Sequence, residues 1–151
     1  IATVPGTQNR QRDRGAEHFI VKQESKRKNA VEELSRGDES LRAARVLIDA
    51  ELFRESVPKL YYTMFHALRA LLFVKGLEPK SHGGVSHFFN THFVGTEPFP
   101  RKWGRFFNRL MKYRHEADYG LVSEIVEQDC IEWFEEVSEF IETVRTFLEY
   151  D

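Results

Sequence analysis

The spacing of apolar residues near the carboxyl end is the feature that most constrains the fold. Apolar side chains recur there at intervals of three and four, at Val126, Cys130, Trp133/Phe134, Val137, Phe140/Ile141, Val144 and Phe147/Leu148. This spacing puts them on one face of a long helix, for which Ser123 is the predicted N-terminal cap. Helical spacing also occurs upstream, and no alternating strand pattern competes with it. We therefore predict an all-α fold, an up-and-down bundle of four to five helices with short connections.

The amino-terminal residues differ in composition from the rest of the chain. Residues 1–23 are polar and basic without helical periodicity, and the chain starts at Ile1 rather than at a methionine. We expect them to be an arm or a cloning remnant outside the folded core, which would comprise residues 24–151. A helical pattern starts near Glu24, and Gly37 either divides it into two helices or weakens a single one.

Glycines, prolines and polar caps delimit the next three helices. A second helix is predicted over about residues 53–74, with Gly76 as its C-terminal cap. A shorter third helix is predicted over roughly residues 84–93. A fourth would open from a Thr96 cap followed by prolines and run to about Tyr119.

Composition and charge exclude several classes of protein. A chain of 151 residues suits one domain, and its net charge of −2 means that any binding to nucleic acid must rest on a local basic patch. The single cysteine, Cys130, excludes a disulfide within the chain and favours a reducing compartment. No leader peptide is apparent, and the longest apolar run contains His66 and Arg69 and is too short to span a bilayer. We therefore expect a cytoplasmic location.

The fourth predicted helix carries cations on two different faces. At about 100° per residue, Arg114 falls on the same arc as Phe107 and Leu110, with Asp118 one turn further along. A guanidinium among aromatic rings must be paired or line a wet cleft. Two interpretations stay open: an Arg114–Asp118 clamp that only joins helices, and a planar donor fork that binds phosphate. A second arc holds a basic stripe that is most simply a solvated face, formed by Lys102, Arg105, Arg109 and Lys112.

The second predicted helix presents polar residues along one face, at Lys59, Tyr62, His66 and Arg69. A lone histidine on such a helix is more often a satisfied core group than a catalyst. Here, however, Tyr62 and Arg69 flank His66 on the same stripe. The stripe either faces water or meets the fourth helix across a cleft, and both arrangements stay open.

Three further histidines, His82, His87 and His92, invite a metal-binding interpretation. Spacings of five separate successive side chains around a helix, and no cysteine or carboxylate cluster accompanies them. We therefore expect neither a metal ion nor another cofactor.

Two segments and the long acidic last helix that follows them resemble the HEPN superfamily (higher eukaryotes and prokaryotes nucleotide-binding domain). The segments are YYTMFHALRALLFVKGLEPKSHGGV and FVGTEPFPRKWGRFFNRLMKYRHEADYG. The likeness covers about residues 26–148 and is greatest to the small stand-alone prokaryotic branch, long labelled an uncharacterised-protein family. It implies a four-to-five-helix bundle that dimerises and is encoded beside a minimal nucleotidyltransferase, as toxin and antitoxin. Active members resemble metal-independent ribonucleases with an R-x4-6-H motif near the end of the penultimate long helix.

In this sequence Arg109 and His115 match that motif, with five residues between them. The resemblance implies that the arginine and the histidine position the scissile phosphate and assist attack by the neighbouring 2′-hydroxyl. Arginine stabilises charge that develops on phosphorus, and histidine transfers a proton near neutral pH. The sequence departs from the family pattern at Leu110, where a polar residue is usual. It also departs at Ala117, where some members carry an adenylylated tyrosine and the nearest one here is Tyr119.

The sequence therefore predicts a HEPN-like module that binds a nucleotide or RNA phosphate, as a homodimer that works with a minimal nucleotidyltransferase. If it is an enzyme, it is a metal-independent endoribonuclease toxin. The candidate catalytic residues are His115, Arg109 and Arg114, and the candidate binding residues are Asp118, Tyr119, Tyr62, His66 and Arg69. The alternative is a non-catalytic helical interaction or partner subunit, in which the Arg114–Asp118 pair is purely structural.

Overall fold

The computed structural model describes residues 7–120 and 124–150, with side chains over 23–120 and 124–149. Within these ranges the chain forms five helices and no strand, which confirms the predicted all-α bundle. The helices are α1 (Thr7–Asp49), α2 (Phe53–Val74), α3 (His82–His92), α4 (Arg101–Asp118) and α5 (Glu127–Tyr150). The second helix lies at the centre and contacts each of the other four. Polar side chains on α2 therefore lie at the grooves between helices.

The first helix is continuous through Gly37, so the alternative of two separate helices is wrong. A Cβ atom at Gly37 would lie 2.8 Å from Cδ1 of Ile141 and 3.4 Å from the backbone oxygen of Thr63. The glycine therefore allows α1 to approach α2 and α5 closely, at the cost of helix propensity. The helix begins at Thr7, well before the start predicted near Glu24, so the backbone of residues 7–23 continues α1.

The predicted bounds and C-terminal cap of α2 are confirmed. Gly76 has a φ of 77° and its N–H donates to the carbonyl of Phe73, while Leu77 N–H donates to Leu72. These two bonds form a Schellman motif, which satisfies carbonyls that the last turn leaves without partners.

The predicted Thr96 cap of α4 is wrong. The helix begins at Arg101, and Pro100 occupies the capping position without a side-chain hydrogen bond. The Thr96 hydroxyl instead donates to the carbonyl of Phe93, and the Phe99 N–H donates back to the Thr96 carbonyl. Local turn bonds of this kind compete with capping for a threonine side chain.

The predicted apolar face of α5 packs on α2, and its central residues, Val137, Phe140, Ile141 and Val144, are buried. Val126, predicted to belong to this face, is wrongly assigned because it precedes the helix and is 46% exposed. The predicted cap, Ser123, lies outside the described residues. The core fixes α4 against α2, and Arg54 on α2 donates to the Ala117 carbonyl at 3.3 Å near the end of α4.

Candidate functional site

The end of α4 places a cation against the aromatic part of α2. The guanidinium carbon of Arg114 lies 5.0 Å from the ring centroid of Tyr61 and 5.2 Å from that of Tyr62. Both distances lie within the range of cation–π attraction, which contributes roughly 0.5–2 kcal/mol depending on exposure. The Arg114 side chain is 26% exposed. The guanidinium is thus fixed by two rings and still accessible to solvent.

Asp118 is the carboxylate partner of Arg114 in the described structure. Its Oδ2 lies 3.5 Å from Arg114 Nε, one helical turn further along α4, and its side chain is 48% exposed. Exposed pairs at this spacing contribute only about 0.3–0.5 kcal/mol. This contact is at Nε, and the N–H groups of the terminal nitrogens suit the bidentate binding of a phosphate.

Tyr61 and His82 form a hydrogen-bonded pair next to Arg114. Tyr61 Oη lies 2.5 Å from His82 Nδ1, and the tyrosine is fully buried. Burial raises the pKa of Tyr61 to about 12 against the opposing charge of Arg114, so the phenol keeps its proton and donates it to Nδ1. Burial and the charge of Arg114 lower the pKa of His82, which favours the neutral ring. With Nδ1 accepting, that ring carries its own proton on Nε2.

A second polar cluster joins α1 to α2 around the buried carboxylate of Glu33, whose side chain is 4% exposed. His66 Nδ1 lies 2.7 Å from its Oε2, and Arg69 Nη1 lies 3.6 Å from its Oε1. Arg36 adds a contact of 3.1 Å to Oε1. Burial alone would raise the pKa of Glu33, but the hydrogen bond with His66 and the charges of Arg69, His66 and Arg36 outweigh it and lower that pKa. His66 is therefore engaged with a carboxylate and does not face Arg114 across a cleft.

The predicted catalytic pair, Arg109 and His115, lies on two different parts of the surface. Residues six positions apart on a helix are rotated by about 120° from each other. Arg109 lines a groove of about 450 Å³ between α4 and α5, together with Trp133 and an acidic wall formed by Glu132, Glu135, Glu136 and Glu139. His115 is exposed at the end of α4, with its ring centroid 4.6 Å from that of Tyr119, which is also exposed. A single chain thus brings Arg114, Asp118 and Tyr62 together and leaves Arg109 outside that group.

The three histidines considered for metal binding have different surroundings. His82 is bound to Tyr61, whereas His87 and His92 are exposed and lie beside the Phe88 ring. Over the part of the chain that the structure describes, no group of three side chains could hold a metal ion. The described helices also include none long and apolar enough to cross a membrane.

Sequence reasoning missed Glu33 and the Tyr61–His82 pair. Glu33 follows Ala30 by three positions and precedes Gly37 by four, and both of these residues are buried. Its helical phase was thus a usable signal that the carboxylate faces inward. The partner of His82 lies 21 positions away in a different helix, and no local pattern indicates that contact.

The fold and the site define a small helical module with an arginine presented on aromatic rings. The model of the HEPN domain family matches residues 30–147. The chain therefore belongs to the HEPN domain family, as its sequence resemblance predicted.

Relatives of known sequence include two proteins that carry only a family label. A UPF0332 protein of Thermotoga maritima is 32% identical over 114 residues, which cover 76% of this chain and 86% of the relative. A UPF0332 protein of Gloeobacter violaceus is 33% identical over 116 residues, covering 76% of this chain and 92% of the relative. A protein of Methanocaldococcus jannaschii named "Putative toxin MJ0605" is 38% identical over 82 residues, covering 54% of this chain and 61% of the relative.

Proposed function

We propose that this HEPN-type protein binds the phosphate of RNA or of a nucleotide through the guanidinium of Arg114. The observation that carries the proposal is the position of the guanidinium against two aromatic rings. Two tyrosine rings fix it at 5.0 and 5.2 Å, and its side chain keeps 26% exposure. Asp118, the competing carboxylate, lies 3.5 Å from Nε and is 48% exposed, so it competes only weakly with a phosphate for the guanidinium.

The proposed reaction is metal-independent cleavage of RNA, with Arg114 and His115 as the reacting pair. The 2′-oxygen attacks phosphorus while His115 accepts its proton, and the bond from phosphorus to the 5′-oxygen breaks. The 5′-oxygen takes up a proton from water, and His115 releases its own proton to the solvent, which leaves a cyclic phosphate and a 5′-hydroxyl. Arg114 stabilises the negative charge that develops on the phosphate oxygens. His115 suits proton transfer because it is exposed and because imidazole is the side chain that most often serves as a general acid or base.

The proposed biological setting is a toxin that acts as a homodimer and is controlled by a minimal nucleotidyltransferase. Membership of the HEPN family supports the helical module, and the name of the Methanocaldococcus relative supports a toxin. Exposed Tyr119 beside His115 is the residue that such a transferase would reach on this chain. The homodimer is tested by measuring the molar mass of the purified protein in solution. The transferase partner is tested by the same measurement after co-expression with the nucleotidyltransferase of the same genome.

Binding is tested with a fluorescein-labelled 2′-O-methyl RNA, which lacks the nucleophile and cannot be cleaved. We expect Arg114→Gln to weaken binding about ten- to hundredfold, because a charge-assisted contact contributes roughly 1.5–3 kcal/mol. It should also lower the slope of log affinity against log salt by about 0.7, the value for one contact to a single strand. Arg105→Gln, on the exposed opposite arc of the same helix, is the matched control. Equal weakening by Arg105→Gln, or loss in Arg109→Gln but not in Arg114→Gln, would refute the assignment to Arg114.

Cleavage is tested with unmodified RNA in the presence of a chelator. We expect wild-type protein to release fragments that end in a cyclic phosphate, and the Arg114→Ala, His115→Ala double variant to release none. Cleavage at equal rates by both proteins would show that these residues are not the reacting pair.

The alternative is a non-catalytic subunit in which Arg114 and Asp118 only join helices, and Asp118→Asn separates it from the proposal. If Asp118 competes with phosphate, its neutralisation strengthens RNA binding, with a loss in stability of no more than about 0.5 kcal/mol. If the pair is purely structural, Asp118→Asn lowers the unfolding temperature and leaves RNA binding unchanged.

A further inference from the structure

A row of aromatic rings and cations runs from Arg114 along the surface of α2. The His82 ring centroid lies 6.3 Å from that of Tyr62 and 4.7 Å from that of Phe65. Beyond Phe65 the guanidinium carbon of Arg69 lies 5.7 Å from the Phe65 ring and 5.1 Å from the Phe73 ring. From Tyr62 to Phe73 the helix rises about 16 Å. The row is therefore long enough for on the order of three to five nucleotides of a single strand.

The far end of this row opens into a groove between α2 and the loop before α3. The groove has a volume of about 480 Å³ and is lined by Arg69, Phe73, Lys80 and His82, with Glu78 also on its wall. Because Glu78 offsets one cation and Glu33 contacts Arg69, the groove carries little net positive charge. Electrostatic attraction alone would therefore hold an RNA phosphate only weakly in the groove, and stacking of a base on the Phe73 ring would provide most of the affinity.

Phe73 has the properties of a stacking platform. It is only partly buried and lies outside the hydrophobic core cluster, unlike Phe65, which packs against that cluster. Arg69 lies over one face of its ring, with the guanidinium carbon 5.1 Å from the centroid, and the ring also lines the groove. Aromatic side chains placed in this way bind bases without reading sequence, since every base has a π-face.

His82 connects the groove to Arg114. Tyr61 occupies its Nδ1, so the ring is held in one orientation while its other nitrogen, Nε2, is free to contact a ligand in the groove that the ring lines. A neutral imidazole that donates from Nε2 suits a phosphate oxygen or a 2′-hydroxyl. The buried Tyr61 thus fixes the orientation of His82, whose Nε2–H group is the donor at the surface.

We propose that a single strand of RNA bound at Arg114 continues across His82 into the groove, where one base stacks on Phe73. This proposal rests on the proposed function, because the strand is held first by Arg114. It extends that function by assigning a second contact region and a substrate class, unpaired RNA rather than a mononucleotide or a duplex.

The experiment compares two labelled 2′-O-methyl RNAs, one of two nucleotides and one of about eight, with the full-length protein. We expect the longer RNA to bind wild-type protein about tenfold more tightly, the effect of one stacked base. Phe73→Leu keeps an apolar side chain but removes the ring, and with Lys80→Gln it should erase most of that advantage while leaving the dinucleotide unaffected. Lys28→Gln, an exposed change on α1, is the control for charge.

The outcomes separate this proposal from the one that it extends. In one outcome, the wild-type protein binds both RNAs and Arg114→Gln weakens the binding of both, but the Phe73→Leu, Lys80→Gln double variant binds the longer RNA as tightly as wild-type protein does. That outcome refutes the extended site and leaves phosphate binding at Arg114 intact. If wild-type protein binds neither RNA, both proposals fail together. A duplex of the same sequence that binds as tightly as the single strand would also overturn the stacking contact.

Discussion

Replacing the buried carboxylate of Glu33 by alanine should be one of the most destabilising single changes in this protein. Glu33 is 4% exposed and joins α1 to two cationic or polar groups of α2, at 2.7 Å to His66 and 3.6 Å to Arg69. The change removes the carboxylate and leaves both partners in place. Arg69 cannot lose its charge, and His66 keeps a ring nitrogen without its acceptor.

The expected magnitude follows from the exposure of the two partners. Removing one member of a fully buried ion pair costs about 3–5 kcal/mol. Here Arg69 is 31% exposed and His66 is 18% exposed, so water recovers part of that cost. An unsatisfied hydrogen-bonding group adds about 1–3 kcal/mol. We therefore expect the free energy of unfolding to fall by about 2–4 kcal/mol, which lowers the unfolding temperature by about 4–16 °C for a chain of this size.

The assay is urea denaturation followed by circular dichroism, with Glu32→Ala as control because Glu32 is the exposed neighbour on the same helix. Glu32→Ala should stay within about 0.5 kcal/mol of wild-type protein. A double-mutant cycle of Glu33→Ala with His66→Ala should give a coupling energy above about 1 kcal/mol. If Glu33→Ala and Glu32→Ala unfold at the same urea concentration, the carboxylate does not stabilise the contact between α1 and α2.

Two further predictions concern acid sensitivity and helix packing. The lowered pKa of His82 means that the unfolded chain binds more protons than the folded one just below the ordinary value of 6.5, so stability should fall as the pH drops through that window. His82→Gln should remove this part of the loss, whereas the loss due to Glu33 should begin only below pH 4.5. Gly37→Val should lower stability by about 1–3 kcal/mol, because its Cβ would meet Ile141 Cδ1 at 2.8 Å and backbone lies beyond.

The controls for these two predictions are on α3. His87→Gln, a change at an exposed histidine, is the control for the first. Identical pH profiles for wild-type protein and His82→Gln would contradict the assignment to His82. Gly83→Val places the same side chain where a Cβ atom has no neighbour within 4 Å apart from the adjoining backbone of its own helix. If the Gly37 and Gly83 variants are equally stable, close packing at Gly37 is not what the glycine provides.

The parts of the fold that depend on local chemistry could be read from the sequence. The dense apolar pattern of α2 and the left-handed glycine after it define both ends of that helix. The face of α5 follows from its spacing because its central apolar residues are all buried. The start of α4 could not be read in this way, because Thr96 uses its hydroxyl in a turn that precedes the helix.

The site shows the same division between local and distant contacts. The rotation of α4 put Arg114 on the arc of Phe107 and Leu110, and its guanidinium does lie against the rings of α2. Which side chains it would meet depends on how far α4 slides along α2, and sequence periodicity does not determine that. The association of Glu33 with His66 bridges 33 positions and depends on the close approach that Gly37 permits between α1 and α2.

Direct observation of the arginine side chains during RNA binding tests the central claim most closely. Nitrogen-15 NMR of the side-chain Nε–H groups follows Arg114 and Arg105 in one sample as a 2′-O-methyl dinucleotide is added. We predict that the Arg114 signal shifts with saturation at the affinity measured by fluorescence, while the Arg105 signal stays in place. An Arg114 signal that does not move while the RNA binds would show that the phosphate is held elsewhere on the protein.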